Sequence, residues 1–365
     1  MRDKCLLIIN PISGTASRKD VPVRTMRRLR REGIDVEVMY TEKAGDAAAL
    51  AAMAASKGYL GVIAAGGDGT VNEIASSLVG TRTALGIIPL GSGNGLARHI
   101  GLTTDVGEAL NLIARRHIEA CDSCAADGRP FFCTFGLGFD AAVSEKFSRS
   151  RRRGLMNYLR SVMTEYLKYS PEEYEIEANG HTVRLKAFIV AACNASQYGN
   201  NAFIAPQASI RDGLVDITIV HAGTPLTRAF FGVDLMTGYV RDNMIIQTLR
   251  TDKAVIRRTS PGIAHIDGDP LPMGEEITVK CLPGSLLMFT QPDKKPFRPF
   301  ITPLSILNRE IRSRLRRLFG ARREERVDGS KGGRQERKED FKTGEQEDDR
   351  RGRRILRQEN RRTGG

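Results

Sequence analysis

Gly66-Gly67-Asp68-Gly69-Thr70 follows the apolar run Leu60 to Ala64 and leads into Val71-Asn72-Glu73-Ile74-Ala75, which reads as a helix start. A strand, a glycine-rich turn and a helix N-terminus, in that order, make a place for anions. Glycines let backbone N–H groups come close to phosphate oxygens, and the helix dipole adds roughly half a positive charge. Asp68 stands inside the turn, where phosphate binding alone does not ask for a carboxylate. It suits a metal ion or a hydroxyl proton; the plainer alternative is a tight turn with an incidental acid.

The same pattern recurs on either side. Leu6 to Ile9 reads as a strand ending in Asn10-Pro11-Ile12-Ser13-Gly14, and Leu85 to Leu90 as a strand ending in Gly91-Ser92-Gly93-Asn94-Gly95. Val21 to Arg31 and Asp46 to Lys57 have helical composition, and Val36 to Tyr40 alternates as a strand. Strands alternating with helices of this length indicate a parallel sheet covered on both faces. Ligands of such sheets bind beyond the carboxyl ends of the strands, where all three glycine turns fall.

Near residue 118 the pattern changes. Ile118 to Phe135 reads as a hairpin about Asp127-Gly128, and Tyr174 to Cys193 as another about Asn179-Gly180, dipeptides that favour primed turns. Further strands are expected at Val215 to Val220, Ala254 to Arg258, Ala264 to Asp267, Ile277 to Cys281 and Leu286 to Phe289, with helices at Leu155 to Leu167 and Leu226 to Val240. This second region is mainly antiparallel, a β-sandwich. The divisions expected are residues 1–117, 118–302, 303–320 and 321–365.

The 365 residues carry a net charge of +13, but from Arg309 onward there are 20 Lys and Arg against 12 Asp and Glu, a net of +8. The charge thus belongs mostly to an appendage and does not indicate a nucleic-acid-binding fold. After Pro303, Leu304, Leu307, Ile311, Leu315 and Leu318 recur at helical spacing with Arg309, Arg312, Arg316 and Arg317 on other faces. That helix either packs on its own domain or lies on an anionic membrane surface. Beyond Arg322 the composition is too polar to fold alone. No apolar run approaches the roughly 20 residues of a membrane span, and no signal segment opens the chain, so a cytoplasmic location is expected. Cys121 and Cys124 form a lone C-x-x-C, short of the four ligands of a zinc site, and read as buried thiols.

Asn10-Pro11-x-Ser13-Gly14, Gly66-Gly67-Asp68-Gly69-Thr70-x-Asn72-Glu73 and Pro89-Leu90-Gly91-Ser92-Gly93-Asn94 occur in that order, each at a strand end. Together they resemble the diacylglycerol kinase catalytic domain family, with its bacterial lipid kinases, sphingosine kinases and ceramide kinases, over roughly residues 4 to 300. The resemblance implies a Rossmann-like, phosphofructokinase-like nucleotide domain followed by the sandwich. It also implies ATP and Mg²⁺ as cofactors, a membrane lipid as acceptor and a peripheral membrane location, and it leaves a homodimer open.

Residue by residue, Asn10, Ser13, Gly14 and Thr41 match the nucleotide site, Gly66, Gly67, Asp68, Gly69 and Thr70 the phosphate loop, with Asn72 and Glu73 directly after it. Ser92, Gly93 and Asn94 match the third turn. Ile266-Asp267-Gly268-Asp269-Pro270 resembles the family's D-G-E segment, with Asp269, one methylene shorter, where the proton-accepting Glu stands. Ser209, Asp212 and Leu214 match a structural magnesium site, for which an Asp-Gly turn before a strand is the alternative. Phe139-Asp140 followed by Ser144-Glu145-Lys146-Phe147 resembles the acceptor segment of sphingosine kinases, where an Asp contacts the lipid head group; with an offset of about one position, the resemblance implies Asp140 as that substrate contact. Arg149, Arg151, Arg152 and Arg153 read as a solvated loop or as head-group contacts. Phosphoryl transfer asks mainly for positioning and charge neutralisation, which these residue types supply. Asp68 and Asp269 both remain candidates for the base. NAD kinases also carry G-G-D-G-T between two such domains, but Asn10-Pro11-x-Ser13-Gly14 and Asn72-Glu73 favour the lipid kinases. A basic nucleic-acid-associated protein is the remaining alternative.

Overall fold

The computed structural model describes residues 3–12, 20–149, 162, 166, 169–241 and 245–291. Four parallel strands open the chain: β1 (Asp3–Ile9), β2 (Ile34–Tyr40), β3 (Gly61–Gly66) and β4 (Ala84–Pro89). They alternate with α1 (Val21–Arg30), α2 (Asp46–Ser56) and α3 (Asp68–Leu78), and the spatial order is β2-β1-β3-β4. β3 and β4 are buried along their whole length and β1 from Cys5 onward, as strands covered on both faces must be. Their register aligns Ile9 with Tyr40 and Ala65, and Gly66 with Pro89. Asn10, Thr41, Gly67 and Leu90 therefore leave the sheet at one edge. α4 (Gly95–His99) and α5 (Val106–Ala114) complete this half.

The second half is antiparallel, with strands β5 (Ile118–Ala126), β6 (Arg129–Phe131), β7 (Thr134–Gly138), β8 (Glu172–Ala178), β9 (His181–Cys193), β10 (Gln197–Gly199), β11 (Ala202–Phe203), β12 (Val215–His221), β13 (Ile246–Thr251), β14 (Lys253–Arg258), β15 (Gly262–Ile266), β16 (Asp269–Met273) and β17 (Glu276–Phe289). Among the described residues two helices interrupt them, α6 (Phe139–Ser148) and α7 (Pro225–Thr237). A sandwich core forms from Phe131, Phe135, Leu137, Ile176, Val190, Ile217, Ile256 and Val279 among others. Three hairpins turn on primed-type pairs with positive φ: Asp127-Gly128 (48°, 77°), Asn179-Gly180 (52°, 75°) and Asp267-Gly268 (49°, 92°).

Where two strands are expected at Ile277 to Cys281 and Leu286 to Phe289, there is one, β17, with an irregularity between Leu282 and Leu286. Pro283 has no N–H for the ladder and Gly284 takes φ 59°, which makes a bulge rather than a break. The buried Asp122 accepts from Gly284 N (2.8 Å) on one oxygen and from Gly213 N (2.8 Å) on the other. Beyond the bulge β17 pairs with β4 at Met288–Leu85, so the last strand completes the first sheet. The helix expected at 304–319 and the tail at 321–365 lie outside the described residues, as does most of the helix expected at Leu155 to Leu167.

Glu119 on β5 gathers a network that holds the end of β17. It accepts from Thr290 Oγ1 (2.7 Å) and Arg211 Nε (3.0 Å), and its other oxygen meets His117 Nε2 (2.8 Å). Burial pushes its pKa up, but the Thr290, His117 and Arg211 contacts outweigh burial and bring it from 4.5 to about 2. A depressed carboxylate stabilises the fold above its unfolded pKa and loses that contribution as pH falls through the folded one. We expect Glu119→Gln to be less stable than the parent near pH 7, with the difference shrinking as pH drops from about 4.5 towards about 2. Denaturant melts across that range measure it.

Candidate active site

The residues expected at the three glycine turns lie at the carboxyl edge of the parallel sheet wherever they are described. Gly67 caps α3 in extended backbone (φ −95°, ψ −171°), leaving the first-turn N–H groups without partners inside the helix. Gly66 packs so close to Thr70 that a Cβ would lie 2.6 Å from its Oγ1, and Asn10 Nδ2 donates to that Oγ1 (3.1 Å). Thr41 is buried next to β1, its N–H bonded to Ile9 O (3.0 Å). Ser92 is exposed on the rim. Ser13 and Gly14 lie outside the described residues.

Asp68 joins two of the glycine turns. Its Oδ2 accepts from Asn94 N (2.8 Å) and its Oδ1 from Gly95 N (2.7 Å), where α4 begins. Asn94 is left-handed (φ 54°) and ties its own turn through Gly91 N→Oδ1 (3.0 Å) and Nδ2→Gly91 O (2.8 Å). Gly67 and Gly91 meet backbone to backbone: a Cβ on Gly91 would stand 2.5 Å from Gly67 Cα. Burial pushes the Asp68 pKa up and the charge of Asp267 adds to this, against the two N–H donors.

The Asp267-Gly268-Asp269 segment is the tip of the β15–β16 hairpin. Asp267 points inward and accepts four hydrogen bonds, from Asn72 Nδ2 (2.8 Å), Phe132 N (3.0 Å), Cys133 N (2.8 Å) and Thr134 N (2.9 Å). Burial raises its pKa and those four donors oppose the rise. Asp267 therefore braces the turn against α3. Glu73, one residue beyond Asn72, accepts from Gly45 N (3.1 Å) and braces the loop before α2. Asp269 is exposed, its Oδ2 3.7 Å from where a Gly69 Cβ would stand. Both carboxylates, Asp68 and Asp269, thus flank the first turn of α3.

Asp140 opens α6 but is enclosed, with its side chain 10% exposed. Tyr198 Oη donates to its Oδ2 (2.8 Å), His265 Nε2 lies 3.1 Å from the same oxygen, and Ala141 N donates to Oδ1 (2.9 Å). Sequence reasoning missed Tyr198 and His265, and no motif marks either.

Asp212 accepts from Leu214 N (3.2 Å), while its other oxygen is 3.9 Å from Arg250 Nη1. The Ser209 hydroxyl accepts from Arg211 N (3.2 Å). The Arg250 guanidinium is paired with Asp216 (Nε to Oδ1, 2.8 Å) and only borders Asp212. Among the described residues no group of three or more His, Cys, Asp or Glu is placed to hold a metal.

Comparison with known proteins agrees with this geometry. Residues 4–126 match the family model "Diacylglycerol kinase catalytic domain", and residues 134–290 match "YegS C-terminal NAD kinase beta sandwich-like domain". A protein named diacylglycerol kinase from Mycobacterium tuberculosis is 31% identical over 285 residues, 74% of this chain and 90% of that one. The chain belongs to the diacylglycerol kinase catalytic domain family. An uncharacterized protein of Synechocystis sp. is 30% identical over 62% of this chain, which spans about half (54%) of that relative's length. The crystal structure of a diacylglycerol kinase described as putative, from Bacillus anthracis, superposes with a TM-score of 0.67 at 22% identity, over 80% of this chain and 98% of that one, and so shares the fold.

Because the Gly67–Gly91 contact is backbone against backbone, neither side can yield by a rotamer change. Gly91→Ala is expected to cost about 1–3 kcal/mol of stability and to weaken binding of a fluorescent ATP analogue by tenfold or more. Thermal melting and a binding titration read the two effects separately.

Proposed function

We propose that the protein is a lipid kinase that transfers the γ-phosphate of ATP to a hydroxyl of diacylglycerol, with a sphingoid base as the second acceptor class to be tested. The observation that carries this reading is the pair of carboxylates on either side of the α3 N-terminus, Asp68 tied to the third glycine turn and Asp269 open to the cleft. The glycine turns and the α3 N–H groups hold the phosphates. Asp269, accessible and carried by the sandwich, accepts the proton of the acceptor hydroxyl. Asp68, with both oxygens already receiving N–H groups, keeps the two turns in register and retains lone pairs facing the phosphates.

Mg²⁺ fits these residues, because Asp68 and Asp267 crowd negative charge where a triphosphate would add more. Asp68 is the group that would hold it, directly or through water. When bound, the ion neutralises the phosphate oxygens.

No helix among the described residues is long and apolar enough to cross a membrane. Contact with an anionic membrane surface is assigned to residues 304–319 on their sequence pattern. In the full chain, Arg312→Glu, Arg316→Glu and Arg317→Glu together are expected to reduce co-sedimentation with vesicles containing phosphatidylglycerol; undiminished binding would remove that helix from the reading.

The reaction is tested with radiolabelled ATP and a panel of diacylglycerol, sphingosine, ceramide and NAD. Label is expected in diacylglycerol, and Asp269→Asn is expected to lower kcat by about a hundredfold to ten-thousandfold. Label in NAD alone would make this an NAD kinase. Salt-sensitive nucleic-acid binding without ATP turnover would end the kinase reading altogether.

A further inference from the structure

Tyr198, Asp140 and His265 form a largely enclosed polar chain between the third glycine turn and the Asp269 turn. At one end, β10 and β11 form a hairpin seated on the third glycine turn. Asn200 N donates to Gly93 O (3.1 Å), and a Cβ on Gly199 would stand 2.8 Å from Gly93 Cα. The residue just before that contact is Tyr198, whose hydroxyl donates to Asp140 Oδ2 (2.8 Å). The same oxygen meets His265 Nε2 (3.1 Å), and Gly268 N donates to His265 Nδ1 (3.4 Å). Gly268 immediately precedes Asp269.

The chemistry of the imidazole fixes the direction of this chain. Nδ1 accepts from a backbone N–H, so it carries no proton; Nε2 carries the proton and donates it to Asp140. His265 is 2% exposed and Asp140 10%. Gly136, paired with His265 across β7 and β15, lies so close that a Cβ there would overlap Asp140 Oδ2 and His265 Nε2. A residue with any side chain at 136 would drive the pair apart.

We propose that Tyr198 and His265 are positioning residues that, acting through Asp140, hold the Asp269 turn in register with the Gly93 turn. The proposal rests on the kinase reading above and assigns Asp140 a different part from direct contact with the lipid. Its carboxylate is taken up by Tyr198, His265 and the Ala141 N–H, and the acceptor meets Asp269 instead. Asp267 fixes the turn from α3 and the β6–β7 corner; His265 fixes it from the opposite side. Nucleotide seated on the Gly93 turn and the acceptor poised at Asp269 are thereby kept at one spacing, and a misplacement of about 1 Å in such a geometry costs on the order of a hundredfold in rate.

Two measurements on the full chain decide it. With diacylglycerol in mixed micelles, Tyr198→Phe and His265→Phe should each lower kcat about tenfold to a hundredfold and leave KM for ATP within about twofold. Because both act through Asp140, the combined variant should lose no more than the worse single one, and His265→Gln, which keeps an N–H donor, should recover part of the loss. Multiplying losses, or a rise in KM for ATP with kcat unchanged, would overturn the proposal.

The second measurement uses ¹⁵N-histidine-labelled protein, whose five histidines permit assignment of His265 by its loss in His265→Gln. A protonated Nε2 with an unprotonated Nδ1 is expected, and a non-hydrolysable ATP analogue should shift the Nε2–H resonance in the parent but not in Tyr198→Phe. The opposite tautomer, or no nucleotide-induced shift, refutes the link. If the parent phosphorylates no lipid at all, the proposed function falls and the spectroscopic arm still decides on the chain.

Discussion

The cleft depends on the two hydrogen bonds that the Asp68 carboxylate accepts from the backbone of Asn94 and Gly95. Those N–H groups open α4, as the backbone of Asp68 itself opens α3, so one side chain locks two helix starts and the two glycine turns before them. Charge-assisted bonds of this kind are among the stronger ones available, and here they are enclosed. Glycine follows as a requirement: Gly67 and Gly91 touch, and a Cβ on Gly93 would stand 2.6 Å from Asp68 Oδ2. The small residues that let the backbone approach phosphate also let this carboxylate approach the neighbouring turn.

Around that lock the site closes into a ring. From Gly93 the contacts run through the β10–β11 hairpin to Tyr198, Asp140 and His265, then to the Gly268–Asp269 turn, whose carboxylate stands beside Gly69 at the start of α3. Asp267 ties the ring to Asn72 across the middle. The ring's four carboxylates are placed differently. Asp68 and Asp267 accept backbone and amide N–H groups and organise the turns, Asp140 takes up Tyr198 and His265, and Asp269 is exposed at the hairpin tip.

Much of this was legible in the sequence because the information was local. Each glycine turn declares itself by its neighbours, and parallel strands of matched length bring Asn10, Thr41, Gly66 and Gly91 to one edge. Asp-Gly and Asn-Gly mark their hairpins in the same way. What could not be read depends on partners far along the chain. Asp267 shares a motif with Asp269, and only its four donors from residues 72 and 132–134 show that it braces the turn. His265 and Tyr198 sit in unremarkable stretches of strand and are given meaning by Asp140, 125 and 58 residues away. Two strands are expected on either side of residues 282–285, whereas Asp122 satisfies the bulge there and lets β17 continue.

That continuation governs the order in which the molecule can be assembled. Leu286, Met288 and Phe289 are buried in the same core as β1, β3 and β4, and Phe289 packs so closely that a Cβ on Gly61 would lie 2.5 Å from its Cε2. During synthesis the nucleotide-binding half therefore emerges first but waits for a strand made some two hundred residues later. Until then β4 presents an open edge and the core lacks its final side chains, the kind of partly formed state that is prone to misassociation. The closing contacts are long-range, so loop-closure entropy makes them slow to form. The first sheet is complete only when translation has passed the sandwich, which ties the birth of the half that carries the glycine turns to completion of the other.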